Sequence, residues 1–150
     1  LAEALYEKNG QITDEQLDLT INDLRNRANM PRLTNAFVAT NGLNMQEEIR
    51  RERTVELAFE GYRRDDLRRW GTAETVLPLA IRGVKFVGTE YQQKFPELVI
   101  GQDIQVDSEG FIIAQPASAR KFQTPKHWLS PIPLQQVQLS KGTLEQNPGW

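Results

Sequence analysis

Residues 49–70 read IRRERTVELAFEGYRRDDLRRW, and no other stretch says as much about the fold. Its charged residues surround a short apolar centre, VELAF, at positions 55–59. Glutamates recur through this stretch and just before it at intervals of four residues: Glu48, Glu52, Glu56 and Glu60. On a helix, this spacing forms one column of like charge, which destabilises the helix in isolation. The column therefore predicts that positive side chains from another segment pack against it.

The segment before this stretch indicates where those positive partners come from. Arg25 and Arg27 lie on the preceding predicted helix, and we expect one or both to pair with Glu52, Glu56 or Glu60. Arginine suits this role because its planar guanidinium stays charged and can hold a carboxylate through two hydrogen bonds. The cluster is interpreted as structural, and a binding site for a charged ligand is the alternative.

Residues 1–31 predict two helices that form a hairpin of the tetratricopeptide kind. The first ends at Asn9-Gly10, which suit a helix C-cap, and Thr13 and Gln16 open the second with the spacing of a capping box. The second helix has an apolar face at helical spacing, formed by Leu17, Ile21, Leu24 and Ala28. Met30-Pro31 ends it, because the residue before a proline is displaced from the helical region.

The rest of the chain divides into four segments, and the whole is predicted to be mainly α. Residues 33–44 are interpreted as a polar linker, and 44–70 as one long charged helix capped by Asn44 and interrupted by Gly61. Residues 71–126 form a loop-rich region, in which 107–110 have the composition of a turn in a small hairpin. Residues 127–150 are rich in proline and are predicted to be extended, with one short helical turn opening at 133–137.

Composition excludes several classes of protein. The chain has 150 residues and a net charge of −2, which suits a single domain and gives no general attraction to nucleic acid or anionic membranes. It has no cysteine, so disulfides, thiolate metal sites and cysteine nucleophiles are absent. No apolar run is long enough to span a bilayer. Arginines and acidic residues balance between 45 and 70, which argues against RNA binding by the arginine-rich stretch.

Catalytic and metal-binding motifs are not found. Asp65 and Asp66 are adjacent, so on a helix they do not face each other as a paired acid and base would. His127 is the only histidine, and its proline-rich, tryptophan-flanked setting favours packing. The glutamate column has no Glu-x-x-His companion for a carboxylate metal site. The sequence therefore predicts a protein without catalytic residues, metal or cofactor.

Aromatic residues are the other candidates for ligand contact. A sugar stacks its apolar C–H face on a flat, exposed ring. Tyr91 and Phe111 lie in the loop-rich region, where binding residues concentrate, and they are the candidate ligand-binding residues. Contact with a partner protein and plain packing are the alternatives for both. The three tryptophans lie in the motif segments and are interpreted as packing anchors: Trp70, Trp128 and Trp150.

Three stretches, in order along the chain, carry a resemblance to one family. Residues 49–70 resemble the hallmark helix of the SusD/RagB family, which are nutrient-binding outer-membrane lipoproteins of Bacteroidetes-type bacteria. Residues 21–31, INDLRNRANMP, are similar to the helix that precedes the hallmark in that family. HWLSPIP at 127–133 and QNPGW at 146–150 are similar to the family's closing segment. The three stretches span nearly the whole chain.

The resemblance implies an oligosaccharide-binding protein, or in some members a peptide-binding one, that serves a TonB-dependent SusC-like barrel transporter as its partner. It implies a surface-exposed lipoprotein of the outer membrane, attached to the membrane only by a lipid anchor on an N-terminal part that lies outside this chain. Residues 1–150 are then expected to be the C-terminal part of one domain and mainly its structural scaffold. The main ligand site is expected upstream of Leu1.

Two other classes stay open from the residues alone. A helical-repeat adaptor that binds peptides would also stack helical hairpins, since one hairpin cannot bury its own apolar face. A glycoside hydrolase would need two carboxylates on opposite sides of a cleft. A lipoprotein signal upstream of this chain would favour the uptake protein over the adaptor, and sugar release from a glycan would identify the hydrolase.

Overall fold

The computed structural model describes residues 1–150 and is mainly helical, as the sequence predicts. The chain divides into two units, residues 1–63 (unit 1) and residues 64–150 (unit 2). Five helices lie in unit 1: α1 (Ala2–Asn9), α2 (Asp14–Asp18), α3 (Ile21–Arg27), α4 (Asn35–Thr40) and α5 (Met45–Glu56). Helix α6 (Arg63–Arg69) begins at the boundary. Unit 2 continues with α7 (Ala73–Val76), β1 (Ile81–Lys85), α8 (Glu90–Lys94), β2 (Phe111–Gln115) and α9 (Leu134–Leu139).

The predicted caps of the first two helices are confirmed. Gly10 follows α1 in the left-handed conformation, with φ of 70°, and its N–H donates to the carbonyl of Tyr6. Thr13 and Gln16 form both hydrogen bonds of a capping box at the start of α2. These interactions fix where each helix starts and stops.

The predicted second helix forms as two helices, α2 and α3. Thr20 stands between them, with φ of −135° and ψ of −92°, and its hydroxyl donates to the carbonyl of Gln16 at 2.7 Å. A threonine side chain that bonds a nearby carbonyl competes with regular helix, and here the chain turns. The apolar face also ends earlier than predicted, because α3 stops at Arg27 and Ala28 is exposed.

Helix α4 was not predicted, because residues 33–44 were interpreted as a linker. The Thr34 side chain accepts a hydrogen bond from the N–H of Phe37 at 3.0 Å and caps the helix. Val38 is then buried, and Leu33 just before the cap is fully buried. The threonine cap followed by the short apolar run 36–39 was the available signal.

The predicted helix over 44–70 is divided into α5 and α6. Asn44 caps α5 as predicted, accepting a hydrogen bond from the N–H of Glu47 at 3.1 Å. The chain leaves the helix after Glu56, and both Phe59 (φ of 66°) and Gly61 (φ of 84°) are left-handed in the turn that follows. Glycine adopts this conformation without steric cost, so Gly61 marks a true break.

The core of unit 1 gathers one or two apolar residues from each helix and from the connections between them. Its buried members are Ala2, Ile12, Leu17, Ile21, Leu33, Val38, Met45 and Ile49. Helix α1 packs against α5, and α2 against α3. Apart from Ala2, each of these side chains contributes about 1.5–3 kcal/mol when fully buried, so a core assembled from short helices depends on most of its members.

Unit 2 contains a small antiparallel sheet, followed along the chain by the closing segment. Strands β1 and β2 pair with Arg82 opposite Ile113 and Lys85 opposite Phe111. The predicted turn at 107–110 is confirmed, since the Asp107 carboxylate accepts from the N–H groups of Glu109 and Phe111. In the closing segment, α9 begins after Pro133 as predicted.

None of the helices combines the length and the apolar character that crossing a membrane requires.

Asn22 offers a test of how the segment before α4 is held. Its side-chain amide donates to the carbonyl of Leu33 at 2.9 Å and accepts from the N–H of Leu33 at 2.7 Å, and the residue is 5% exposed. Asn22→Ala leaves both backbone groups without a partner, so we expect the free energy of unfolding to fall by about 2–4 kcal/mol in urea denaturation.

The matched control is Asn26→Ala, because Asn26 is exposed on the same helix. We expect it to change the free energy of unfolding by less than about 0.5 kcal/mol. Equal losses for the two variants would contradict the role given to Asn22.

Candidate functional site

A buried arginine joins α3 to α5. Arg25 is 5% exposed, and its Nε donates to Oε2 of Glu52 at 2.8 Å. Its Nη2 lies 3.8 Å from Oε2 of Glu48, which is 6% exposed, and its Nη1 donates to the carbonyl of Pro31 at 3.3 Å. The guanidinium therefore contacts two glutamates of the column and the carbonyl of Pro31, which lies in the connection that follows α3.

The outer part of the cluster is more exposed. Arg27 pairs with Glu56 through a hydrogen bond of 2.5 Å on the surface of unit 1. Arg51 hydrogen-bonds Glu48 from the solvent side, and this bond raises the pKa of the Arg51 guanidinium. Glu60 lies in the turn after α5, outside the helical column. The structure brings Arg25 to Glu52 and Arg27 to Glu56, with Glu48 as an additional buried acid.

These pairings determine what the cluster can do. Each buried carboxylate is already matched by a guanidinium from its own unit, so the positive and negative groups satisfy each other. A site for a charged ligand would instead present one sign of charge to an open cavity. The geometry of Arg25, Glu48 and Glu52 is that of a structural connection between helices.

An open, mainly apolar cleft of about 340 Å³ lies beside this cluster in unit 1. Its apolar walls include Leu19, Leu24 and Ile49, and its lining also includes the side chains of Glu52 and Glu56. The cleft is suited to an apolar segment rather than to a hydroxyl-rich sugar, which needs convergent hydrogen-bonding groups.

The two aromatic candidates of the loop-rich region have different surroundings. Tyr91 lies on α8 with 43% of its surface exposed, and the Lys94 ammonium is 5.9 Å from its ring centroid. Phe111 opens β2 and is half-buried, with the Arg82 guanidinium 5.2 Å and the Lys85 ammonium 5.8 Å from its ring centroid. The structure shows no ring contact between Tyr91 and Phe111. Tyr91 therefore offers the more accessible ring.

Ion pairs at the adjacent turn hold Phe111 in place. Arg82 is 2.6 Å from Oδ2 of Asp107 and 3.0 Å from Oε1 of Glu109. Burial would raise the pKa of Asp107, but the N–H groups of Phe111 and Glu109 and the charge of Arg82 outweigh it and lower that pKa. The hydrogen bond to Glu109 raises the pKa of Arg82. These charges set the start of β2 and thereby the position of the Phe111 ring.

A group of aromatic rings packs around Phe122, a residue that the sequence did not single out. The Phe122 centroid lies 5.0 Å from that of Trp128 at an interplanar angle of 74°, and 5.6 Å from that of His127 at 81°. Trp150 donates its indole N–H to the carbonyls of Lys126 and Leu129 at 2.8 and 3.1 Å. Edge-to-face rings of this kind stabilise packing. The proximity of Phe122 to the HWLSPIP stretch in sequence was the only available signal.

The acidic and histidine side chains are not arranged for metal binding or paired-acid chemistry. No group of three or more histidine, aspartate or glutamate residues is placed to hold a metal ion. Asp66 is buried and bonded to Arg69 at 2.9 Å, whereas Asp65 is exposed, so the adjacent acids face different surroundings.

Comparison with known families adds one finding. A family model described as the SusD family matches the chain over residues 1–150, and therefore over both units. No curated protein and no solved structure matches the chain significantly.

Paired substitutions distinguish the buried connection from its exposed neighbour. Arg25→Met leaves the carboxylates of Glu48 and Glu52 without their buried partner, so we expect the free energy of unfolding to fall by roughly 3–5 kcal/mol. Arg27→Met breaks an exposed pair and should cost less than about 1 kcal/mol. Urea denaturation followed by circular dichroism measures both, and a loss at Arg25 no larger than the loss at Arg27 would refute the structural role.

Proposed function

Because the chain belongs to the SusD family, we propose that its protein captures oligosaccharides at the cell surface and delivers them to a TonB-dependent barrel transporter. Membership of the family implies glycan binding in a SusC/SusD uptake system, and proteins of this family bind without catalysing a reaction. The single observation that carries the proposal is the match over residues 1–150, which includes the Arg25–Glu52 connection as well as the closing segment.

Within that protein we assign residues 1–150 mainly to the scaffold. The charges of the hallmark stretch in unit 1 are largely used in ion pairs between helices, and Ile49, its one buried apolar residue in that unit, belongs to the core. A rigid scaffold supports binding by holding the loops that contact the ligand in one geometry. The proposal includes the surface location and lipid anchor typical of the family, and such an anchor needs a cysteine that residues 1–150 do not contain.

Tyr91 and Phe111 are the proposed ligand contacts within this chain. The support for Tyr91 is an accessible ring on a short helix of the loop-rich region. The support for Phe111 is weaker in geometry, because two cations already lie near its ring and the side chain is half-buried. A sugar that stacks on Tyr91 also has the Lys94 ammonium as a donor for its hydroxyls.

Gentle extraction of the native protein from whole-cell membranes tests the uptake function. We expect the protein to carry a lipid, to co-purify with a barrel transporter, and to bind oligosaccharides in a screen of immobilised neutral and acidic glycans. The matched control is the same extraction from cells lacking the transporter, in which the protein should still carry its lipid. A protein with no lipid, no barrel and no glycan binding would reject the proposal and favour the peptide-binding adaptor.

Substitution of Tyr91 tests the proposed contact. Loss of one stacking ring costs about 0.5–1.5 kcal/mol, so Tyr91→Ala should weaken binding of an oligosaccharide from the screen by roughly 2- to 12-fold in isothermal titration calorimetry. Phe111→Leu keeps an apolar side chain of similar size and should have a smaller effect.

Tyr62 supplies the matched control, because it is a tyrosine of similar exposure, 49%, in the turn before α6. Tyr62→Ala should leave the affinity unchanged. Unchanged affinity in Tyr91→Ala as well would remove Tyr91 from the ligand site.

A further inference from the structure

A cavity of about 290 Å³ in unit 2 is surrounded by basic side chains. Its lining includes Arg64 from α6, Arg120 and Lys121 from the segment after β2, and His127 from the closing segment. No aspartate or glutamate belongs to the lining. We call this site the basic cavity. Its volume is close to the lower end of the ~300–1,000 Å³ range of small-molecule pockets, which suits one charged sugar unit rather than a long chain.

The positive charge of the basic cavity is not neutralised by the protein. The ion pairs of unit 2 involve Arg68, Arg69, Arg82 and Lys94, and none involves Arg64, Arg120 or Lys121. This is the opposite of the cluster in unit 1, where each buried carboxylate meets a guanidinium. Cations that converge on a cavity without an acidic partner create a local positive potential that favours an anion.

Arg120 is held in position before any ligand arrives. Its Nε donates to the carbonyl of Leu77 at 2.9 Å, its Nη1 donates to Oε1 of Gln115 at 2.9 Å, and the side chain is half-buried. These two bonds orient the planar guanidinium and leave donor groups on Nη2 for a ligand. A preorganised guanidinium loses little side-chain entropy on binding, which distinguishes Arg120 from a solvated surface arginine.

His127 adds a neutral donor. Its Nδ1 accepts a hydrogen bond from the N–H of Gln123 at 3.0 Å, which requires Nδ1 to be unprotonated. The neutral ring then carries its proton on Nε2, which is a donor. Phe122 also lines the cavity and gives it an apolar wall, and its ring is fixed edge-on against His127 and Trp128.

From this chemistry we propose that the basic cavity binds the acidic group of an oligosaccharide, either the carboxylate of a uronic acid or a sulfate ester. The guanidiniums of Arg64 and Arg120 and the ammonium of Lys121 supply charge, and His127 supplies a directed hydrogen bond. Phe122 contacts the apolar face of the same sugar ring. The inference rests on the proposed function and narrows its ligand to acidic glycans.

The test compares acidic and neutral oligosaccharides on the full-length protein by isothermal titration calorimetry. The probes are a galacturonic acid tetrasaccharide, the same tetrasaccharide with its carboxyl groups reduced, a sulfated galactan tetrasaccharide, a panel of neutral oligosaccharides, and sodium sulfate alone. We expect at least one acidic probe to bind 10-fold or more tightly than the reduced tetrasaccharide. Binding of the galacturonate identifies a carboxylate site, and binding of the sulfated galactan identifies a sulfate site.

Charge removal at the exposed lining residues locates the binding. Arg64→Gln combined with Lys121→Gln should weaken the acidic probe about 10-fold, bring its affinity close to that of the neutral probe, and reduce its dependence on salt. The matched control is Lys141→Gln, an exposed lysine after α9 that does not line the cavity, which should leave the affinity unchanged. Circular dichroism confirms that each variant is folded.

Several results would overturn the inference. Neutral oligosaccharides that bind while neither acidic probe does would refute the acidic ligand and leave glycan capture intact. If the variant with both Arg64→Gln and Lys121→Gln binds the acidic probe as tightly as the wild type does, the inference is refuted as well, and glycan capture again stays intact. Binding of sodium sulfate without any oligosaccharide would reduce the cavity to an ion site. Failure of every oligosaccharide, neutral and acidic, would reject glycan capture together with this inference.

Discussion

The fold of unit 1 depends on one buried charge, the Arg25 guanidinium. Removing a guanidinium from water costs several kcal/mol, and the cost is recovered only where carboxylates and a carbonyl meet it in good geometry. Glu52, Glu48 and the carbonyl of Pro31 meet this requirement. A hydrophobic residue of the same volume would tolerate many orientations of α3 on α5, whereas the fork of Arg25 tolerates few. The charge thus selects one helix arrangement, and the apolar core supplies most of the stability.

The need for a cation beside α5 was visible in the sequence because the glutamates recur at a regular interval. Glutamates four residues apart lie on one side of a helix, and such a column needs cations from elsewhere. The caps at Gly10, Thr13 and Asn44 were visible for a similar reason, since each is a local contact within a few residues. The breaks at Thr20 and after Glu56 were not foreseen in full. They depend on a competing hydroxyl bond in one case, and on two left-handed residues in the other.

The surroundings of the candidate ligand residues could be predicted only in part. The turn at 107–110 followed from its composition, but the cations beside Phe111 come from β1, which lies more than 25 residues earlier. The basic cavity could not be predicted, because its lining joins α6, the end of α7, β2 and the closing segment. Sequence spacing carries information about neighbours on one helix, whereas a cavity depends on how separate segments return to the same place.

The two charged regions of this chain differ in whether their arginines are paired with carboxylates. In unit 1 the Arg25 guanidinium is paired with the carboxylates of Glu48 and Glu52. An external anion could bind there only by displacing a buried partner. In unit 2 Arg120 is oriented by two neutral acceptors, a carbonyl and an amide, which fix its geometry without cancelling its charge. An arginine held by neutral acceptors keeps its full attraction for an anion and avoids the entropy cost of being ordered by it. The same side chain therefore builds the scaffold in one unit and presents a charge to a ligand in the other.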